Sequence, residues 1–352
     1  MVHSAKRVAL RRLVLAATAS LFALTSSADA CTRFVYENTK SDLYVGRTLD
    51  WMEDPGTDLW AFPKGMSRTG GIDSASIAWV SKHSSVTSSF YGIATIDGMN
   101  DAGLVANMLY LAEADYGTDA KKDKPSLSVG AWLQYALDNF ATVDEAVTAL
   151  ESEPFRIVAP TLPSGDVAGA HLALTDKSGD NAIFEYIDGK LVIHHSRDAR
   201  TMTNSPSYDQ QLAINAYWEG VGGTNMLPGT YRASDRFVRA TYNLKQTPNY
   251  DTQKESLAAT VSMARTISVP VGIKDPKLPN IASTMWRTVS DIGAKRYYFD
   301  SVYSPEIFWV DFDKLAFGST DKALKLSLAD NPYLAGEVSA KFVETAPFAW
   351  LH

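Results

Sequence analysis

Strand-like and helical blocks alternate along this chain, and together they predict an α+β protein layered helix, sheet, sheet, helix. Three observations carry that prediction: period-two segments near the start, helical spacing in the middle, and aromatic strand-like runs near the end. Thr32–Glu37 alternates and pairs with residues 43–49 through the turn Asn38-Thr39-Lys40-Ser41-Asp42. Residues 89–96 and 104–111 flank Asp97-Gly98-Met99-Asn100-Asp101-Ala102-Gly103, which has a hairpin composition. Residues 128–140 place apolar side chains at helical spacing, and Thr142 caps a second helix, Val143–Leu150. Residues 168–175, 182–187 and 190–194 read as a meander with turns at Lys177-Ser178-Gly179-Asp180 and Asp188-Gly189. Helical periodicity returns at 233–244 and 252–266, and residues 281–290, 295–299 and 306–311 close the chain as aromatic strands.

The first 30 residues have the order of a secretory signal. Lys6, Arg7, Arg11 and Arg12 precede an apolar run from Leu13 to Leu24, and small residues end at Ala28-Asp29-Ala30. The expected organisation is therefore a cleaved leader, 1–30, and one domain, 31–352, exported to the periplasm or beyond. The twin Arg11-Arg12 is a hint of Tat export and leaves Sec export open. Cleavage after Ala30 makes Cys31, the only cysteine, the first residue of the mature chain. Thiol and free α-amino group then share one residue, so a nucleophile carries its own base. Two other readings stand beside that one. A bacterial lipoprotein is the first, although Ala28 stands where a lipobox wants a Leu-like residue and Asp29 fits poorly. A buried, inert thiol is the second, since environment decides reactivity.

The leader holds four basic residues and one acidic, so the mature chain carries 29 Lys and Arg against 39 Asp and Glu, a net charge of −10. Such a chain has no electrostatic footprint for nucleic acid or an anionic membrane. No second long apolar run follows the leader, so no membrane anchor is expected. A hydrophobic fraction of 45% and eight tryptophans supply a large core. With one cysteine there is no internal disulfide, and packing must stabilise the exported protein.

HExxH, CxxC, G-x-S-x-G and GxxxxGK are all absent. The six histidines form no ligand-spaced set, and His194-His195 reads as the surface end of a strand. These absences disfavour a zinc site and a Cys–His dyad. If Cys31 is a nucleophile, its base should be its own amine.

Five ordered segments resemble the choloylglycine hydrolase family of N-terminal-nucleophile amidohydrolases, which includes penicillin V acylases and bile salt hydrolases. They are Cys31-Thr32-Arg33, Gly46-Arg47-Thr48-Leu49-Asp50-Trp51, Asp97-Gly98-Met99-Asn100, Thr203-Asn204-Ser205-Pro206 and Ala233-Ser234-Asp235-Arg236-Phe237. The resemblance spans the whole mature chain. It implies an αββα sandwich with two antiparallel sheets, hydrolysis of a linear amide, and no metal or organic cofactor.

The resemblance also assigns roles. Cys31 sulfur attacks the amide carbonyl, and its amine shuttles the proton, since a terminal amine ordinarily titrates at about 7.7–8.0. Arg47 beside the thiol favours thiolate. Asp50 places its carboxylate on the terminal ammonium, although at three residues from Arg47 the two need not share a strand face. Asn204 and the Tyr110 backbone N–H donate to the oxyanion, Arg236 supplies charge near Cys31, and Asn100 supports a turn. Read without the family, Arg47 and Asp50 are a surface ion pair, Asn204-Ser205-Pro206 a plain turn and Arg236 a solvated helix residue. Trp51, Trp60 and Tyr110 are expected to offer apolar faces to an acyl group, with core packing as the alternative for both tryptophans.

Tyr110 stands where bile-salt members usually carry Asn and penicillin V acylases tend to carry Tyr. Asn204 to Arg236 spans only 32 positions, shorter than in Gram-positive members, where an inserted hairpin helps assemble tetramers. Both features resemble the Gram-negative branch, and a homotetramer is the family expectation. The expected substrate is a small N-acyl amide with a hydrophobic acyl group. Penicillin V comes first, acyl-homoserine lactones second and conjugated bile salts as the alternative. From a different class, the chain could be an exported lipoprotein or binding protein with a silent site. N-terminal sequencing separates these, since a free Cys31 supports the enzyme.

Overall fold

The Asn38 side chain closes the first hairpin: its Oδ1 accepts from the backbone N–H of Lys40 at 2.9 Å and of Asp42 at 2.8 Å. Thr32–Glu37 thereby pairs with Leu43–Asp50 in the register Arg33 opposite Arg47. The computed structural model describes residues 31–165, 167–273 and 282–352; the expected leader and Ile281 lie outside these. Sheet I orders seven strands: Thr201–Thr203, Thr32–Glu37, Leu43–Asp50, Thr284–Asp291, Arg296–Ser301, Phe308–Asp311 and Gly336–Glu337. Only the last pair is parallel in this sheet. Sheet II orders nine: Lys190–His195, Asn181–Ile187, Ala170–Thr175, Val105–Tyr110, Ala94–Asn100, Ser85–Phe90, Leu59–Phe62, Ala323–Leu326 and Val343–Thr345.

Among the described residues five α-helices lie outside the sheets. Helix α1 (Val129–Asn139) and α2 (Val143–Leu150) pack on sheet II, while α4 (Ala233–Gln246) and α5 (Gln253–Thr266) pack on sheet I. Helix α3 (Tyr208–Val221) packs on α4. Caps fix their starts, as Ser128, Thr142 and Thr252 accept from the N–H groups of Gly130, Glu145 and Glu255. This is the four-layer αββα sandwich.

Strand alternation sorts the core. Val35, Val45 and Leu49 point between the sheets, whereas Phe34, Tyr36 and Tyr44 point under α4 and α5 with Met263 and Ile267. Gly46 is required by its cross-strand neighbour, because a Cβ there would collide with the Phe34 ring. The two sheets also share a polar layer. Buried Arg33 donates to Asn107 Oδ1 at 3.2 Å and to Ala199 O at 3.1 Å. Asn107 donates to Asp97, which also accepts from Thr288 Oγ1 and Tyr297 OH at 2.6 Å each. Burial lowers Arg33 to about 10, and Tyr208 and Asp97 pull the other way.

Several expected boundaries move, two of them for a clear physical reason. The segment 89–96 is not one strand, because Tyr91 and Gly92 adopt positive φ and turn the chain between Phe90 and Ala94. Asp97 and Gly98 sit in a strand and not in the turn, since Asp97 finds its partners across the sheets. The turn proper is held by Asn100 Oδ1, which accepts from Leu104 N at 2.9 Å, while Asn100 Nδ2 holds Leu137 O and Phe140 O at the end of α1.

Candidate active site

Cys31 lies just before the first strand of sheet I, between Asn204 and Asp50, and is 2% exposed. Its backbone nitrogen donates to Asn204 Oδ1. Its sulfur lies 3.8 Å from Arg47 Nη2 and 3.9 Å from the Asp50 carbonyl oxygen. Arg47 comes from the neighbouring strand, on the face between the sheets. Its guanidinium is fixed by Ile96 O at 3.1 Å and Met108 O at 3.2 Å, and it lies 4.8 Å from the Trp286 ring centre. Sheet II therefore aims a sheet I cation at the thiol. A positive charge beside a thiol stabilises its thiolate form.

Asp50 takes the other face. Its carboxylate accepts from Thr284 Oγ1, from Thr48 Oγ1 at 3.3 Å and from Arg236 Nη1 at 3.3 Å, all buried. Arg236 reaches down from α4 and also donates to Cys31 O at 2.8 Å and to Thr32 Oγ1. Burial pushes Asp50 up to about 6 against the pull of Arg236, and burial lowers Arg236 in turn. Removing one member of such a pair costs about 3–5 kcal/mol, because the other is left charged in the interior. The three-residue spacing leaves open whether Arg47 and Asp50 share a strand face, and they lie on different ones. Neither they nor Arg236 are surface residues.

Asn204 follows the edge strand Thr201–Thr203. Its Nδ2 donates to Tyr110 O at 2.8 Å, and Ser205 Oγ accepts from Ala112 N at 3.1 Å. Buried Gln211 in α3 donates to Asn204 O and Pro206 O, and its Oε1 accepts from Thr203 Oγ1 at 2.7 Å. The expected plain turn is thus tied to the end of the Val105–Tyr110 strand.

Beside the sulfur opens a cavity of about 60 Å³. Its apolar walls include Trp51, Phe90, Ile96, Met108, Tyr110 and Leu351. Trp51 packs edge-on against Phe90, with ring centres 4.8 Å apart, and its Nε1 donates to Tyr91 OH at 2.8 Å. The expectation for Trp60 fails. Leu59 and Ala61 of its strand join the main core, so period-two alternation turns Trp60 to the opposite face. There it stacks on Phe62 and meets Phe348 edge-on at 5.0 Å.

Four contributors carry no signal in the sequence: Thr284 on Asp50, Gln211 on Asn204, Trp286 under Arg47 and Leu351 in the cavity wall. Thr284, Trp286 and Leu351 come from distant positions, Gln211 lies seven residues after Asn204, and no local motif marks any of them. His194 also differs from its expected surface place. It is part-buried, with Nε2 at 3.5 Å from Glu185, a carboxylate that His171 also contacts at 2.8 Å.

Residues 31–325 match the family described as linear amide C–N hydrolases, choloylglycine hydrolase family. A penicillin V acylase of Pectobacterium atrosepticum is 47% identical over 94% of this chain and 95% of its own length. The solved penicillin V acylase from Agrobacterium tumefaciens superposes with a TM-score of 0.85 at 48% identity, over 91% of this chain and 99% of that one. A conjugated bile acid hydrolase variant from Clostridium perfringens shares the fold, with a TM-score of 0.71 at 17% identity over 84% of this chain and 97% of its own. The chain belongs to the choloylglycine hydrolase family and is an amidohydrolase of linear C–N bonds.

Proposed function

We propose that this amidohydrolase uses Cys31 as an N-terminal nucleophile and prefers N-acyl substrates with a hydrophobic acyl group, penicillin V first and acyl-homoserine lactones second. One observation carries the reading: the nitrogen and sulfur of a single residue sit between Asn204, Arg47 and the Asp50–Arg236 pair, beside an apolar cavity. Cleavage before Cys31, by a signal peptidase during export to the periplasm, frees the amine. The domain that follows assembles as a homotetramer.

The thiolate of Cys31 attacks the amide carbonyl and its π electrons move onto oxygen. A primary amide carries two N–H groups, so Asn204 can hold Tyr110 O with one and this oxyanion with the other. The Tyr110 backbone N–H is the second donor. The α-amine of Cys31 takes the thiol proton as the thiolate forms and delivers it to the departing amine as the oxyanion electrons return to carbon and the C–N bond breaks. A thioester remains, and water activated by the same amine hydrolyses it to acid and free thiol. Asp50 orients the terminal nitrogen, and Arg236 holds Asp50 and the Cys31 carbonyl in place. The apolar wall takes the acyl part and leaves the amine side loosely specified. Measured kcat/KM for penicillin V should exceed that for glycocholate, and Tyr110→Asn should narrow the gap. A wild-type preference for glycocholate replaces this reading with bile-salt hydrolysis.

Asp50 also sets a pH dependence. Below about 6 its carboxyl protonates and no longer orients the amine, so kcat/KM should fall as pH drops through that value. Stability runs the other way. The folded pKa lies above the unfolded value of about 3.9, so the folded state binds the proton more tightly. The stabilisation from this carboxyl is complete below about pH 4 and is lost as pH rises through about 6. A pH–rate profile that stays flat down to about pH 5 would remove Asp50 from this role.

A further inference from the structure

We infer that Leu351, brought in from far along the chain, is the residue that sets the length of acyl chain the cavity accepts. The inference rests on the proposed N-acyl specificity and names one determinant of it. The cavity is lined at one part by Cys31 and Arg47 and at another by Val129 and Gly130, in the first turn of α1. Residue 130 gives that wall backbone only: a Cβ on Gly130 would stand 2.9 Å from Ile93 O and 3.0 Å from Ala94 Cβ. Leu351 supplies a side chain there, and it is buried at 6% exposure.

The backbone, not the side chain, holds Leu351 in place. Its N–H donates to Ile93 O at 2.8 Å, and its carbonyl accepts from Ser128 Oγ at 2.5 Å, the same hydroxyl that caps α1. The preceding Trp350 packs edge-on against Phe348 at 5.1 Å and lies 5.5 Å from the Arg68 guanidinium. Arg68 is itself pinned by a buried ion pair with Asp138 at 2.8 Å. Gly71 admits the indole closely, since a Cβ there would lie 2.8 Å from Trp350. The backbone of this part of the wall is therefore fixed in position. Changing that side chain keeps both backbone anchors and alters only the space.

The test uses linear N-acyl-p-nitroanilides from butanoyl to dodecanoyl, with wild type, Leu351→Ala and Leu351→Trp. In Leu351→Ala the ratio of kcat/KM for dodecanoyl over butanoyl should rise at least about tenfold, the discrimination a few methylenes give in an apolar slot. In Leu351→Trp the ratio should fall by a similar factor. Iodoacetamide should alkylate Cys31 at the wild-type rate in both variants, which shows that the reactive centre is intact. A chain-length profile unchanged in both variants, or a parallel loss at every length, overturns the inference. A wild type that hydrolyses none of the series, nor penicillin V, instead overturns the proposed function on which it rests.

Discussion

Replacing Cys31 by Ser is expected to lower kcat for penicillin V by at least about 10³-fold while the protein still folds. Removal of a nucleophile that acts as a unit with its base removes nearly all the catalysis that unit supplies. The alcohol keeps the size, the backbone nitrogen on Asn204 Oδ1 and the carbonyl on Arg236, so the local structure has no reason to change. What changes is ionisation. The Arg47 guanidinium at 3.8 Å favours a thiolate, but no single cation makes an alkoxide of an alcohol at neutral pH. Folding should be nearly indifferent, with a cost of about 1 kcal/mol or less, because the Asp50 carbonyl can accept from the new hydroxyl. Steady-state kinetics and thermal unfolding on the same preparation check both halves. Activity within tenfold of wild type would place the nucleophile elsewhere.

The parts of this fold that are legible in the sequence are those whose signals are local. Thr142 and Thr252 announce helices through a side chain that reaches three residues on, and Asn38 announces a hairpin in the same way. Asp97 shows the opposite case. Its sequence neighbourhood is that of a turn, but Thr288 and Tyr297 of the other sheet make it a strand residue, and no window around position 97 contains them. Helix α3 is hard to read for a related reason. Its apolar face is thin, with Tyr208, Gln211 and Asn215 buried and the rest largely facing out, so periodicity barely rises above background. At the site, Cys31, Arg47, Asp50, Asn204 and Arg236 are readable because an ordered set of short motifs carries them, and the fold brings all five together. Trp60 is not readable by nearness in sequence, since alternation along a strand sends alternate residues to opposite sides of a sheet. Leu351 lies beyond every motif.

Retaining a single residue ahead of Cys31 is expected to abolish activity even with every side chain of the site in place. The reason is electronic first. A peptide nitrogen shares its lone pair with the neighbouring carbonyl, so it takes up no proton, and the thiol then has no base of its own. Other bases do not compensate: Asp50 is held by Thr284, Thr48 and Arg236, and Asn204 is neutral. Loss of a positioned general base typically costs about 10²–10⁴-fold. The second reason is steric, because the nitrogen lies against Asn204 in a residue that is almost wholly enclosed, where an added residue competes with the substrate for space. The extended and trimmed forms can be prepared separately, their masses confirmed, and penicillin V turnover compared. Trimming back to Cys31 should restore the rate, whereas full turnover by protein whose mass still includes the extra residue would rule out the terminal amine as the base.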